Sequence, residues 1–121
     1  MVVLSKQEKR DLSDNLANHL PKIRKILGVT QAEFGELCGF SRTRVSQIEN
    51  GAIKMTWSQC TSILFVCTLN RTTSEYLFVN GIYTVRALQF FQSKDDNMPP
   101  ELDIMVRREI MERALYANSA N

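Results

Sequence analysis

The sequence predicts an all-α fold: a five-helix domain containing a helix-turn-helix pair, followed by a helical C-terminal extension. Three observations point there. Apolar residues recur at three- and four-residue steps, as in Leu12, Leu16, Leu20, Ile23 and Leu27, which is the stripe of an amphipathic helix. Helix-start signals repeat, with Thr30 and Glu33, then Thr56 and Gln59, each spaced so that the threonine caps the first turn and its partner bonds back to it. Stop signals stand at Gly39 and at Asn50-Gly51, where such helices should end. The chain divides on these marks into an N-terminal helical arm over 1–20, a helix-turn-helix domain over 21–79, and a helical C-terminal extension over 80–121 that is a candidate dimerisation region.

The first stripe runs from Ser5 to Leu27 but meets Pro21. Proline lacks the N–H that a helix interior needs and is best placed in a first turn, so a helix is expected to start near Pro21, with Ser5 to Leu20 partly helical. The next helix opens at Thr30, passes Phe34 and Leu37, and leaves at Gly39, which can adopt φ > 0. Ser41 is the N-cap of a further short helix with Val45 and Ile48 on one face. Gly35 is small enough for these two helices to cross closely, and Phe34, Phe40, Val45 and Ile48 are the candidate packing residues. A loop through Ile53 and Lys54 leads to a helix capped by Thr56, with Trp57, Cys60, Ile63, Leu64 and Cys67 facing the core. Thr72 and Glu75 repeat the capping spacing for a fifth helix carrying Tyr76 and Leu77.

Beyond Leu77 the pattern is mixed. Asn80-Gly81 between apolar residues is a type I′ hairpin signal, whereas Val85 to Gln92 favours helix and Gly81 can equally end the helix before it. The helical reading is preferred. Ser93 to Met98 is a polar loop, and Pro99-Pro100 sets up a final helix from about Glu101 to Ala117. Asp103–Arg107 and Glu109–Arg113 lie at i, i+4 in the favourable order, beside a wide apolar side of Leu102, Met105, Val106, Ile110, Met111, Ala114 and Leu115. This side could simply pack on its own domain. Because a five-helix domain closes its own core, the extra apolar helices, with Tyr83, Phe90 and Phe91, are read instead as a dimer seam.

The helix after Ser41 carries the chemistry on the face opposite Val45 and Ile48. Arg42, Thr43, Arg44, Ser46 and Gln47 all hydrogen-bond, and no acid intervenes before Glu49. Arginine can fork onto guanine O6 and N7, glutamine can pair with adenine N6 and N7, and the threonine methyl can meet a thymine methyl. A helix fits the major groove with its N-terminal residues at the base edges. Gln31, at the start of the preceding helix, is placed to donate to a backbone phosphate, where a helix N-terminus favours an anion.

Leu-Gly-Val-Thr-Gln-Ala-Glu-Phe, beginning at Leu27, and Ser-Arg-Thr-Arg-Val-Ser-Gln-Ile-Glu-Asn-Gly, beginning at Ser41, resemble the DNA-binding domain of phage repressor and Cro proteins, the XRE family of bacterial regulators. The resemblance extends more loosely from about Pro21 to Leu77. It implies that Gln31, Arg42, Thr43 and Gln47 face bases or adjoining phosphates, and that Asn50 and Lys54 hold the backbone. With Arg44 and Ser46 from the reading face, these make the candidate DNA-binding set. Two positions depart from the family. Gly35 stands where alanine is usual, costing about 1 kcal/mol of helix propensity, and Cys38 replaces a larger aliphatic and should pack as a small hydrophobe.

Composition is that of an ordinary globular protein, 44% hydrophobic and 23% charged. The net charge of +2 is small, but residues 21–54 carry six bases against three acids, so the basic patch coincides with the reading helix. Cys38, Cys60 and Cys67 lack metal-site spacing, and Cys60 and Cys67 lie about 10 Å apart along one helix, too far to bridge. They read as reduced thiols. His19 stands without a carboxylate or nucleophile beside it and reads as a satisfied or surface residue. The N-terminus has no signal-peptide pattern, and the longest apolar run is far below the ~20 residues of a membrane span. A cytoplasmic location follows as the expectation.

The predicted function is sequence-specific transcriptional regulation through double-stranded DNA, with repression the commoner outcome in the family and a homodimer the expected form. No cofactor, metal, membrane contact or enzymatic activity is called for. Two alternatives stand beside it: an antitoxin whose tail holds a toxin while it regulates its own gene, and a protein-interaction module without DNA binding. A toxin or effector protein would be the partner in those cases.

Overall fold

The computed structural model describes residues 1–102 and 108–119. Among them lie seven helices: α1 Lys6–Leu27, α2 Gln31–Cys38, α3 Arg42–Glu49, α4 Trp57–Thr68, α5 Arg71–Val79, α6 Val85–Phe91 and α7 Arg108–Ser119. No strand occurs among the described residues, so the turn at Asn80-Gly81 is not a hairpin. Gly81 takes φ 68° and ends α5, and the amides of Ile82 and Tyr83 both return to the Leu77 carbonyl.

The expected break near Pro21 does not occur. Helix α1 runs unbroken through Pro21, opened by a capping box of Ser5 and Glu8 and closed by Gly28 in the left-handed region. The boundary drawn at residues 20/21 therefore falls inside one helix. The reason lies in the stripe: Leu16, Leu20 and Ile23, on both sides of the proline, are fully buried, while Pro21 itself is exposed. Burying each such side chain is worth about 1.5–3 kcal/mol, which together outweighs the ~3 kcal/mol cost of one interior proline. Pro21→Ala is expected to raise stability by about 1–2 kcal/mol, the regained helix bond being partly offset by a freer unfolded chain. A urea titration checks this through a higher midpoint at unchanged slope.

Helices α1 to α5 enclose one core. Leu12, Leu16, Leu20 and Ile23 of α1 meet Phe34 and Cys38 of α2, Val45 and Ile48 of α3, Cys60, Ile63, Leu64 and Cys67 of α4, and Leu77 of α5. Leu37 is exposed, and Cys38 packs inward as the small hydrophobe expected of it. Thr56 and Gln59 form the capping box of α4 as its spacing predicts. Helix α5 is capped differently from expectation. Asn70, one residue before the helix, accepts from the amides of Thr72 and Thr73 through Oδ1. Thr72 is inside the helix. The short connection from α4 leaves Asn70 as the residue in extended conformation, and an asparagine there caps well.

Helix α6 packs on the domain rather than away from it. Phe91 stacks on Trp57 at 5.9 Å between ring centroids, Phe90 lies at 6.4 Å from the same ring, and Tyr83 Oη is 2.8 Å from Thr68 Oγ1. These aromatics, read from sequence as part of a dimer seam, thus cover the domain's own flank. The first residues reinforce the contact. Val2 and Leu4 are buried, Val2 donates its amide to the Lys94 carbonyl, and Arg86 bridges Glu8 and the Val3 carbonyl.

Glu101 and Leu102, where the last helix was expected to begin, are not helical, and the Gln92 side chain brackets the Glu101 backbone through both its amide atoms. The Asp103–Arg107 pair, Met105 and Val106 lie outside the described residues. In α7 the ion pair is Arg108–Glu112 at 2.7 Å instead of the expected Glu109–Arg113. Every described side chain of α7 from 108 to 116 is exposed. No helix among the described residues is long and apolar enough to cross a membrane.

Candidate nucleic-acid interface

The site is built from α2, the turn after it, α3 and the loop to α4. Thr30 and Glu33 form the capping box of α2, as expected, and Ser41 Oγ accepts from the Arg44 amide to start α3. The turn between them is tight. The amides of Gly39 and Phe40 both donate to the Gly35 carbonyl, at 2.8 and 2.9 Å. The Phe40 carbonyl oxygen sits against Gly35, such that a methyl group there would fall under 3.0 Å from it. Smallness at Gly35 is therefore required by backbone approach, more strictly than the sequence alone implies.

Val45 and Ile48 anchor the inner side of α3, which turns its opposite side away from the core. Arg42 and Thr43 are exposed, while Arg44, Ser46 and Gln47 are half-buried along the same helix. Among the described residues neither Arg42 nor Arg44 makes an ion pair. Two cations thus stand at the start of α3 with their charge uncommitted.

The one acid of α3 is treated oppositely. Glu49, 8% exposed at its side chain, receives Arg24 in a fork, with Nε to Oε2 at 2.6 Å and Nη2 to Oε1 at 2.9 Å. Gln31 adds its Nε2 to Oε1 at 3.1 Å, and Arg24 Nη1 also reaches the Val29 carbonyl. This network ties the end of α3 to α1 and to the start of α2. The Glu49 hydrogen bond holds the Arg24 guanidinium above its already high pKa, against a smaller opposing effect of burial. The charge of Glu49 is thereby balanced within the network by that of Arg24. Sequence reasoning placed Gln31 toward a phosphate. In the chain alone its amide nitrogen is engaged with Glu49.

Asn50 uses its side chain locally, Oδ1 accepting from the Ala52 amide at 2.9 Å, and Gly51 follows at φ 79°. Lys54 is exposed and reaches back to Asp14 at 3.3 Å; Asp14 also pairs with Arg10, whose Nη2 donates to the Met55 carbonyl. The first half of α1 therefore braces the loop that follows α3. Arg24, Asp14 and Arg10 were not singled out from sequence. A partial signal existed for Arg24, because a lone acid ending a basic helix needs a cation and Arg24 is one of the two bases flanking the buried Ile23.

Remaining polar groups have structural explanations. His19 Nδ1 lies 2.7 Å from Tyr76 Oη, the satisfied histidine that its isolation suggested. Burial pushes the thiols of Cys38 and Cys67 up to about 12 and that of Cys60 to about 11, so all three are protonated at neutral pH and behave as apolar core.

Residues 22–56 match the model of a protein family described as helix-turn-helix. The match spans α1 from Lys22 through α3 to the cap of α4 and contains every residue of the candidate DNA-binding set, while Arg10 and Asp14 lie before it. Neither a curated protein nor a solved structure matches the chain.

Proposed function

We propose that this chain, a DNA-binding transcription regulator by its XRE-family helix-turn-helix domain, reads specific sequence in the major groove with α3 and represses by occupying a promoter as a homodimer. The observation that carries the reading is the division of charge on α3: Arg42 and Arg44 are uncommitted, while the helix's only acid is neutralised by Arg24. An arrangement serving internal packing alone has no use for two unpaired forked donors, one exposed and one half-buried, at the start of α3. In this reading Arg42, Thr43, Arg44, Ser46 and Gln47 address base edges, and Gln31, Asn50 and Lys54 serve the phosphates. Helices α1 to α5 form the DNA-binding unit, which therefore begins at Lys6 and not at residue 21, and 80–121 contribute to the contact between copies.

One short helix reads only a few base pairs, so two-fold pairing is needed for a usable operator. It would place half-sites about 34–36 Å apart or at a multiple of that spacing. Selection from a random duplex library at near-physiological salt tests this. Enrichment of an inverted repeat is expected; enrichment of nothing by the folded protein would sink the regulator reading of α3.

Substitutions separate the two kinds of contact. Arg42→Ala is expected to lose about 1–3 kcal/mol of discrimination at particular base pairs. Lys54→Ala should weaken binding to all sequences alike and reduce the salt slope by about one. Because Lys54 must leave Asp14 to reach a phosphate, its loss is expected to affect affinity without moving sequence preference. Binding titrations against operator and scrambled DNA across a salt series measure both.

A further inference from the structure

Helix α7 and the surface beside α5 are both left open in a single chain. Between α4, α5 and the segment after α6 lies a groove of about 660 Å³, bordered by Leu69, Arg71, Glu75, Phe78, Val79 and Leu102. Leu69, Phe78, Val79 and Leu102 are exposed there, Val79 at 84%. Helix α7 begins six residues after Leu102 and presents Ile110, Met111 and Ala114 on one side, all exposed. Apolar surface of this kind, on a groove and on a helix of the same chain, calls for a partner.

We propose that α7 of one copy lies in the α5 groove of a second copy, so that the homodimer is closed by two exchanged helix-in-groove contacts. The inference rests on the homodimer of the preceding section and names its surface. Charge supports the match and sets the direction. Helix α5 carries Arg71 and Glu75 along the groove, and α7 carries Glu109 and Arg113 at the same i, i+4 spacing with the signs reversed. None of these four makes an ion pair among the described residues. Laid parallel, the two helices bring Arg71 to Glu109 and Glu75 to Arg113 together. An antiparallel arrangement would oppose like charges.

Only residues 103–107 separate the groove from α7 in sequence, yet within one chain the groove stays open and α7 stays exposed. A second copy closes both, and two-fold symmetry makes the contact twice. Each helix and its groove need then cover only about 800 Å² for the pair to reach the ~1,600 Å² of a standard stable interface. The mode of recognition is an amphipathic helix set in an apolar groove.

The test is sedimentation of the full chain over a concentration series, with helical content checked for each variant. Wild type is expected to dimerise. Val79→Glu, a change at an exposed site, should raise the dimer dissociation constant at least tenfold. Glu75→Arg and Arg113→Glu should each weaken it about five- to tenfold, since each reversal acts at both symmetric contacts. The double variant E75R/R113E, with unchanged net charge, should return to near the wild-type constant. A dimer insensitive to Val79→Glu, or a double variant no better than the singles, overturns the groove contact while leaving the homodimer standing. A wild type that stays monomeric at every concentration overturns the homodimer as well.

Discussion

Glu49→Ala should cost about 2–3 kcal/mol of stability. The change removes the acceptor for the Arg24 fork and for Gln31 together, leaving a guanidinium whose side chain is only 20% exposed. Deleting one partner of a buried pair costs about 3–5 kcal/mol, because the stranded charge has lost its solvent without keeping its counter-ion. Residual exposure of Arg24 lets water return and brings the figure below that range. The urea midpoint should fall at constant slope. A loss below about 0.5 kcal/mol would mean that the fork is screened like an ordinary surface pair.

The same network offers a functional readout that stability alone does not move. Glu49→Ala frees a cation beside the start of α2, which the proposed reading sets against the phosphates, so non-specific DNA affinity should rise and the salt slope steepen. Arg24→Ala leaves Glu49 as an unpaired anion in the same place, so affinity should fall and the slope flatten. Both variants lose stability; their salt dependences should diverge. If the two slopes move together, the network has no electrostatic part in DNA binding.

Much of the fold was legible from residues whose physical role is local. The capping boxes at Thr30 and Thr56, the stop at Gly39, and the inward positions of Phe34, Val45 and Ile48 depend on spacing within a helix, and spacing can be read directly. What escaped depended on tertiary burial. Pro21 reads as a helix start because propensity is local, yet the stripe from Leu12 to Ile23 is buried against α3, α4 and α5 and carries α1 straight through it. The start of α5 shifted to Asn70 for a related reason, since the length of the α4–α5 connection decides which residue is extended. At the candidate site, the outward set from Arg42 to Gln47 followed from helical periodicity. The partners that shape it, Arg24 for Glu49 and Asp14 for Lys54, are 25 and 40 residues distant and carry no periodic signature.

Gly35→Ala sets local propensity against tertiary contact in a single methyl group. Propensity alone favours the alanine by about 1 kcal/mol, and alanine is what the resemblance to the XRE family would place there. The geometry opposes it. The new methyl would meet the Phe40 carbonyl oxygen under 3.0 Å, and that atom belongs to backbone, so no flexible side chain can swing aside. The turn cannot simply relax, because the amides of Gly39 and Phe40 are bonded to the carbonyl of Gly35 itself. Relief requires moving Phe40 and Ser41, and Ser41 is the N-cap of the reading helix. Forcing a methyl into such a contact costs about 1–3 kcal/mol, so the net loss should be about 1–2 kcal/mol after the propensity gain. DNA binding should suffer more than stability, by tenfold or more, since on the proposed reading a shift of roughly 1 Å at Ser41 would displace Arg42 and Arg44 from the base edges they address. Thermal unfolding and operator titration on the same preparation separate the two effects. A variant more stable than wild type, with operator affinity unchanged, would show that the turn yields freely and that the close approach at Gly35 does not set the angle between α2 and α3.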